Sequence, residues 1–196
     1  QHPQLQLQLE VTDRLVSLAS EGFDLAIRHC RREALPETHV AWPLCSTATL
    51  IVASAEYIRR FGRPDSPETL RHHQCLTYPR GAQSPQWTFE SREQPAERVS
   101  VKVHGPFATN NSESLRDAVL AGLGIALLPD FSAREAIGRG LVQELLPAWQ
   151  PVEVFADKLY VIRPYTPRVS RAVETFSRYL KATFSEPRPA PAPAPR

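Results

Sequence analysis

Several short groupings in this sequence carry residue types that could do chemistry. His72, His73 and Cys75 stand almost side by side, and His29 adjoins Cys30; such sets can ligate a metal or pair a nucleophile with a base. A second kind of grouping follows apolar runs, where a strand gives way to a helix or coil: Thr12 and Asp13, Arg28 and His29, Asn110, Asn111 and Ser112, and Pro129. Helix starts offer unpaired N–H groups and partial positive charge, so this set suits a small anion. Thr12, Asn111 and Ser112 are equally good helix caps, and both roles stay open.

Spacing argues against the first kind. No second ligand group with zinc spacing accompanies residues 72–75, which read as the end of a short helix begun by Ser66-Pro67-Glu68. Neighbours on a strand point to opposite faces, which separates His29 from Cys30. The three cysteines, Cys30, Cys45 and Cys75, are odd in number, widely spaced and without a Cys-x-x-Cys pair, so no disulfide framework is expected. The expectation is a binding domain with no metal, no cofactor and no enzymatic acid, base or nucleophile.

The elements that must position the second kind can be read from periodicity. Leu5, Leu7, Leu9 and Val11 alternate with polar residues, the pattern of a half-buried strand. Thr12 or Asp13 would cap a helix with Leu15, Leu18 and Ala19 on its apolar face, ending at Gly22. A strand over residues 23–28 then completes a parallel strand, helix, strand unit. Residues 50–53 form another strand, Ser54 caps a helix running to Phe61, and Gly62 ends it. Trp87 and Phe89, then Val99, Val101 and Val103, are short strands around a polar turn.

The densest local signal is residues 121–131, AGLGIALLPDF. Gly122 and Gly124 suit a helix end needing positive φ, Ile125 to Leu128 a fully buried parallel strand, and Pro129 its close. Asp130 or Ser132 would cap the next helix, with Glu135 completing a capping box from Ser132. That helix ends at Gly140, residues 159–162 form a late strand, and Thr166-Pro167 opens a last helix with Val169, Val173, Phe176, Leu180 and Phe184 on one face. The alternating Pro and Ala after Glu186 reads as a disordered tail.

Composition narrows the class. A chain of 196 residues, 42% hydrophobic, can bury a proper core in one large or two small domains. It has no apolar run approaching the roughly 18 residues of a membrane span, and no signal-peptide pattern; the expected compartment is the cytoplasm. A formal charge of +2, with its Arg pairs isolated, predicts poor DNA binding by this chain alone.

Three separated runs appear together in order: EGFDLAIR over residues 21–28, ASAEY over residues 53–57 followed by Phe61-Gly62 and Pro64, and the junction over residues 121–131. Together they resemble the effector-binding domain of LysR-type transcriptional regulators over about residues 1–184. Thr12-Asp13-Arg14 and Gln86-Trp87-Thr88-Phe89 look most like the glycine-cleavage-activator branch. The resemblance implies an α/β, type II periplasmic-binding-protein-like fold: lobe I from residues 1–52 plus 162–184, lobe II from residues 53–161, two crossing strands near Val52 and Val161, and residues 185–196 as the tail. It further implies a small effector in the cleft, with Thr12 matching an effector-contacting position and Asn110 and Asn111 facing it from lobe II. Homodimers, or tetramers in the full-length regulator, are implied too, with DNA bound only through an N-terminal domain that this sequence lacks. Relative to that family the sequence also lacks the first strand of lobe I. A solute-binding receptor of the same fold is the alternative.

Overall fold

The computed structural model describes residues 3–12, 14, 16–79, 85–94 and 96–185. By internal contacts the described residues divide into two compact units, those up to Ser46 with Asp157–Ser185, and those within Thr47–Ala156. The chain passes between them at 46/47 and 156/157. Val52 and Val161, where the crossings were expected, lie fully buried within strands of one unit each.

The first unit is built on a three-stranded antiparallel sheet, in which β10 (Lys158–Pro164) lies between β1 (Ala26–His29) and β2 (His39–Ser46). Side chains alternate across a strand, and β10 uses both faces. Tyr160 and Ile162 pack with Leu18 of α1 (Leu18–Glu21), while Val161 packs with Leu44 and with Leu180 of α5 (Arg171–Ser185). Burying an aliphatic side chain in such a layer contributes about 1.5–3 kcal/mol. α5 is the amphipathic cover on that side, its Phe176 and Phe184 joining Trp42 of β2, whose ring carries Lys181 Nζ at 4.8 Å.

In the second unit the sheet order is β4 (Cys75–Leu76), β7 (Ile125–Pro129), β3 (Thr49–Ser54) and β8 (Val142–Glu144). Alternation again assigns the faces. Val52, Ala126 and Leu128 meet Leu115 and Val119 of α3 (Ser112–Leu120) and Ala133 and Ala136 of α4 (Asp130–Gly138). Ile51, Ala53, Ile125 and Leu127 meet Tyr57 of α2 (Ala55–Phe61) and the inner side of a second sheet, β6 (Arg98–Lys102), β5 (Gln86–Ser91) and β9 (Trp149–Val152). Among the described residues no helix is long and apolar enough to cross a membrane.

Several elements differ from the sequence expectation. Residues 5–11 pair with no strand among the described residues, and Leu7, Leu9 and Val11 stand 66%, 85% and 78% exposed. Alternation is necessary for a half-buried strand, but it needs a neighbouring ladder, so the strand, helix, strand unit does not form and β1 pairs antiparallel with β10. α1 is one turn that starts after Ser17 and ends at Gly22; Thr12 does not cap it, and Asp13 and Leu15 lie outside the described residues. β7 is parallel to β4 and antiparallel to β3. Residues 67–72 wind as a 3-10 helix. The last helix starts at Arg171, with Ser170 Oγ accepting from Val173 N (3.3 Å), while Thr166 Oγ1 donates to Arg168 O and caps nothing. Ser185 ends α5, and the rest of the expected tail lies outside the described residues.

Candidate functional site

The sheet of the second unit has a well-defined carboxyl edge. β4 and β7 run parallel, and residues 104–109 extend the same sheet through parallel bridges of Gln74 with His104 and Thr77 with Ala108. Thr77, Thr109 and Pro129 therefore end at one side of the sheet, where β3 begins with Thr49 opposite Pro129. In open α/β sheets this is the side at which ligands bind, because the helices that follow point their N-termini there.

Two helices start at this edge. Thr109 N donates to Thr77 O (3.1 Å), Asn111 N to Thr109 Oγ1 (3.3 Å), and Asn111 Oδ1 caps α3 by accepting from Ser114 N (2.8 Å). Asn110 is exposed beside it, while Asn111 and Ser112 are half-buried. α4 follows Pro129 directly, and Asp130 is turned back onto the edge: its N donates to Ala48 O (2.8 Å), its Oδ1 accepts from Ala48 N (3.3 Å), and its Oδ2 accepts from Arg134 (2.7 Å). Thr47 Oγ1 donates to Ala156 O (3.0 Å).

The expected capping box at Ser132 is not formed. Ser132 sits inside the first turn of α4, and its hydroxyl donates to Glu113 Oε1 (2.7 Å) and lies 3.0 Å from Ser112 Oγ. With its single proton on Glu113, Ser132 accepts from Ser112. Glu113 and Asp130 both stand in helix first turns, where the dipole favours a carboxylate, and each has an arginine one turn along, Arg116 and Arg134. Bonds to Asp117 and Glu113 hold the Arg116 pKa above its ordinary value.

The junction before β7 depends on its glycines in two different ways. Gly122 has φ +74°, the left-handed conformation that ends α3. Gly124 does not; a Cβ there would lie 2.4 Å from Gln74 O, so the requirement is close backbone approach rather than positive φ.

In the first unit, Thr12 is exposed and its Oγ1 accepts from Arg14 N (3.2 Å). Arg28 is half-buried on β1 and donates to Val16 O (2.8 Å), tying Val16 to the sheet. Arg14 forks onto both carboxylate oxygens of Glu21, a hydrogen bond that lowers the Glu21 pKa and raises that of Arg14. His29 ends β1 opposite Leu159, half-buried.

Of the remaining chemical candidates, His73 and Cys75 are buried in the core, Cys30 is half-buried and His72 is exposed. His73 is 8% exposed and bonded to Tyr57 Oη, and burial pushes the Cys75 thiol up to about 12. Cys30 is also raised by burial. Thiols in that state are poor nucleophiles and poor metal ligands. Among the described residues no three His, Cys, Asp or Glu side chains gather as a metal site. The edge offers a ligand hydroxyls, amides and helix N–H groups. Sequence reasoning named Asn110, Asn111, Ser112 and Pro129 at this edge and missed Thr77, Thr109 and the roles of Ser132 and Glu113. A polar residue closing each short apolar run was the available signal.

Comparison with known proteins gives a consistent result. The description "LysR substrate binding domain" matches residues 1–185. The uncharacterized HTH-type transcriptional regulator YhjC of Escherichia coli is 33% identical over 186 residues, 94% of this chain and 60% of its own length. The probable HTH-type transcriptional regulator LtrA of Klebsiella pneumoniae is 32% identical over 161 residues, 82% of this chain and 50% of its own. The chain thus spans 50–60% of the length of these relatives. Among solved structures, full-length AphB of Vibrio cholerae, a virulence activator, superposes with a TM-score of 0.74 at 22% identity, covering 93% of this chain and 59% of that one. The regulatory domain of AphB in Vibrio vulnificus gives 0.68 at 25% identity, covering 92% and 84%. Such regulatory domains have the type II periplasmic-binding-protein-like fold, and this chain shares it.

Proposed function

This chain belongs to the LysR substrate-binding-domain family, and from that premise we propose that it is the ligand-sensing part of a bacterial transcription factor that binds a small, anionic effector. The observation that carries the reading is the common ending of Thr77, Thr109 and Pro129 at one edge of the sheet, with the starts of α3 and α4 beside it. Asn110, Asn111, Ser112 and Pro129 are its effector residues in the second unit, and helix N–H groups supply the attraction for negative charge. Thr12 is assigned to effector recognition on the family resemblance, Asp13 as its neighbour in sequence, and Arg28 and His29 on their place at the end of β1.

Control of transcription then follows from differential affinity: an effector that prefers one arrangement of the regulator shifts it toward that arrangement and changes how DNA is held. DNA binding is assigned to an N-terminal domain outside this chain, and the working compartment to the cytoplasm. Self-association is part of the proposal. Leu120 and Leu141, both exposed, line a shallow depression together with Arg116, Glu135, Ala136 and Arg139, a mixed apolar and charged surface that we assign to contact with a second copy. The relatives matched are HTH-type transcriptional regulators, which favours this reading over a solute receptor or an enzyme.

The test is a titration of the full-length regulator with a panel of small mono- and dicarboxylates, following operator-DNA binding and thermal stability together. The expected result is that at least one member raises the melting temperature and alters the DNA footprint, and that Asn111→Ala with Ser112→Ala weakens both responses. A panel that binds without changing affinity or footprint would defeat the switch.

A further inference from the structure

The second unit contains a buried polar cluster that the effector site does not use. Tyr57, 1% exposed on α2, points its hydroxyl at the start of β4, where Oη accepts from Gln74 N at 2.9 Å and lies 3.2 Å from His73 Nδ1. Because Oη already accepts from a backbone N–H, the arrangement that satisfies every group has Tyr57 donating its own proton to an unprotonated Nδ1.

That bond sits at a structural crossing. Gln74 O accepts from Ile125 N (2.8 Å) at the start of β7, Gly124 packs against the same carbonyl, and Cys75 N donates to His104 O (2.8 Å). Three segments of the unit therefore meet at the backbone that Tyr57 holds: α2, the extended segment at residue 104, and the junction leading to β7 and α4.

We propose that the Tyr57–His73 pair is an acid-sensitive latch: protonation of His73 turns Nδ1 from acceptor to donor, forces Tyr57 to release its proton contact, and loosens the seam at Gln74. Among the described residues no carboxylate pairs with His73 to steady an imidazolium. Tyr57 and Cys75 are the ionisable groups at close range, and burial raises the pKa of both, so they stay neutral. On the same 3-10 helix (Pro67–His72), Glu68, Arg71 and His72 are not fully buried, and His72 opposes a second positive charge. On α2, Glu56, Arg59 and Arg60 are exposed, and on the strand packed against the 3-10 helix the charged groups are the exposed Arg98 and Lys102, with His104 just beyond. Desolvation, with His72 second, holds the His73 pKa below its ordinary value. The sign follows: a histidine whose folded pKa is lowered binds more protons when unfolded, so its contribution to stability is present above the unfolded pKa of about 6.5 and is lost as pH falls below it.

The experiment compares the whole chain with His73→Asn, which keeps an acceptor near Nδ1 and does not titrate, and with Tyr57→Phe. Melting temperature is measured from pH 7.5 to 5.0, and His73 is followed by NMR in the unsubstituted chain. The expected result is a fall in melting temperature below about pH 6.5 that is reduced in His73→Asn, together with a His73 midpoint below the ordinary histidine value of about 6.5. Faster amide exchange at Gln74 in acid, relative to the intrinsic rate, locates the loosening at the seam. Parallel pH profiles for the unsubstituted chain and His73→Asn overturn the latch. Should His73→Asn fail to fold, the NMR midpoint decides alone: a value at or above about 6.5 overturns it too.

Discussion

Ser132 and Glu113 come from different helices, yet the serine hydroxyl lies 2.7 Å from Glu113 Oε1 and joins the first turns of α4 and α3. Ser132 is 2% exposed, whereas the Glu113 side chain is half in solvent and also bonded to Arg116. The two ends of the bond thus differ in what their removal costs. Removing the serine hydroxyl loses one charge-assisted bond and leaves a partly exposed carboxylate that can turn to water, whereas removing the acceptor altogether would strand a buried hydroxyl.

Ser132→Ala is expected to destabilise the protein by about 1–2 kcal/mol, which for a chain of this size lowers the melting temperature by about 2–4 °C per kcal/mol. Glu113→Gln keeps an acceptor for Ser132 and is expected to cost less. Denaturant unfolding of both variants reads the difference. A Ser132→Ala loss under about 0.5 kcal/mol, the range of ordinary surface changes, would show that the bridge between α3 and α4 contributes nothing.

The two glycines Gly124 and Gly138 should respond oppositely to alanine. At Gly124 a Cβ would lie 2.4 Å from Gln74 O and 3.1 Å from its carbonyl carbon, both backbone atoms of another segment. Overpacking of this kind costs about 1–3 kcal/mol. At Gly138, the last residue of α4, a Cβ meets nothing within 4 Å, and alanine is the better helix former by up to about 1 kcal/mol. Gly124→Ala is thus expected to lower the unfolding midpoint and Gly138→Ala to leave it equal or raise it. Equal effects at the two sites would contradict the close approach at Gln74.

The ease with which these features could be read from the sequence follows from where their determinants lie. Ser54 capping α2 and Asn111 capping α3 were legible because each cap and its target are three residues apart. β3 and β7 were legible because strands buried on both faces read as continuous apolar runs. The Ser132 box was misassigned because α4 already starts at Asp130, which puts Ser132 inside its first turn with its hydroxyl donating to Glu113 of α3. Gly124 was assigned positive φ because the reason for it, Gln74 O, lies far away in sequence. Residues 5–11 show the limit of periodicity: alternation specifies which face a strand would bury, while pairing depends on a neighbour that the run itself does not encode. At the edge, Asn111 was legible as a helix start. Thr77 and Thr109 were not, since only the parallel bridge of Thr77 with Ala108 brings them together.

Cys75 provides the last prediction, because its chemistry follows from its place in the sheet. It is fully buried at the start of β4, opposite Ile125 of β7, and its Sγ donates to Leu70 O at 3.6 Å. Burial raises its pKa to about 12, so at pH 8 almost none of it is the thiolate that attacks disulfide reagents. Cys30 and Cys45 are half-buried at the end of β1 and in β2, where reagent can reach them. Titration of the native chain at pH 8 with an aromatic disulfide such as Ellman's reagent is therefore expected to leave Cys75 unmodified, as read by peptide mass mapping, while the chain in guanidinium releases all three equivalents. Because reaction requires the strand to open, the slow phase at Cys75 in low denaturant should track unfolding of the second unit's sheet. Rapid labelling of Cys75 in the native chain would mean that β4 is not seated against β7, and with it would fall the shared edge of Thr77, Thr109 and Pro129 on which the effector site is assigned.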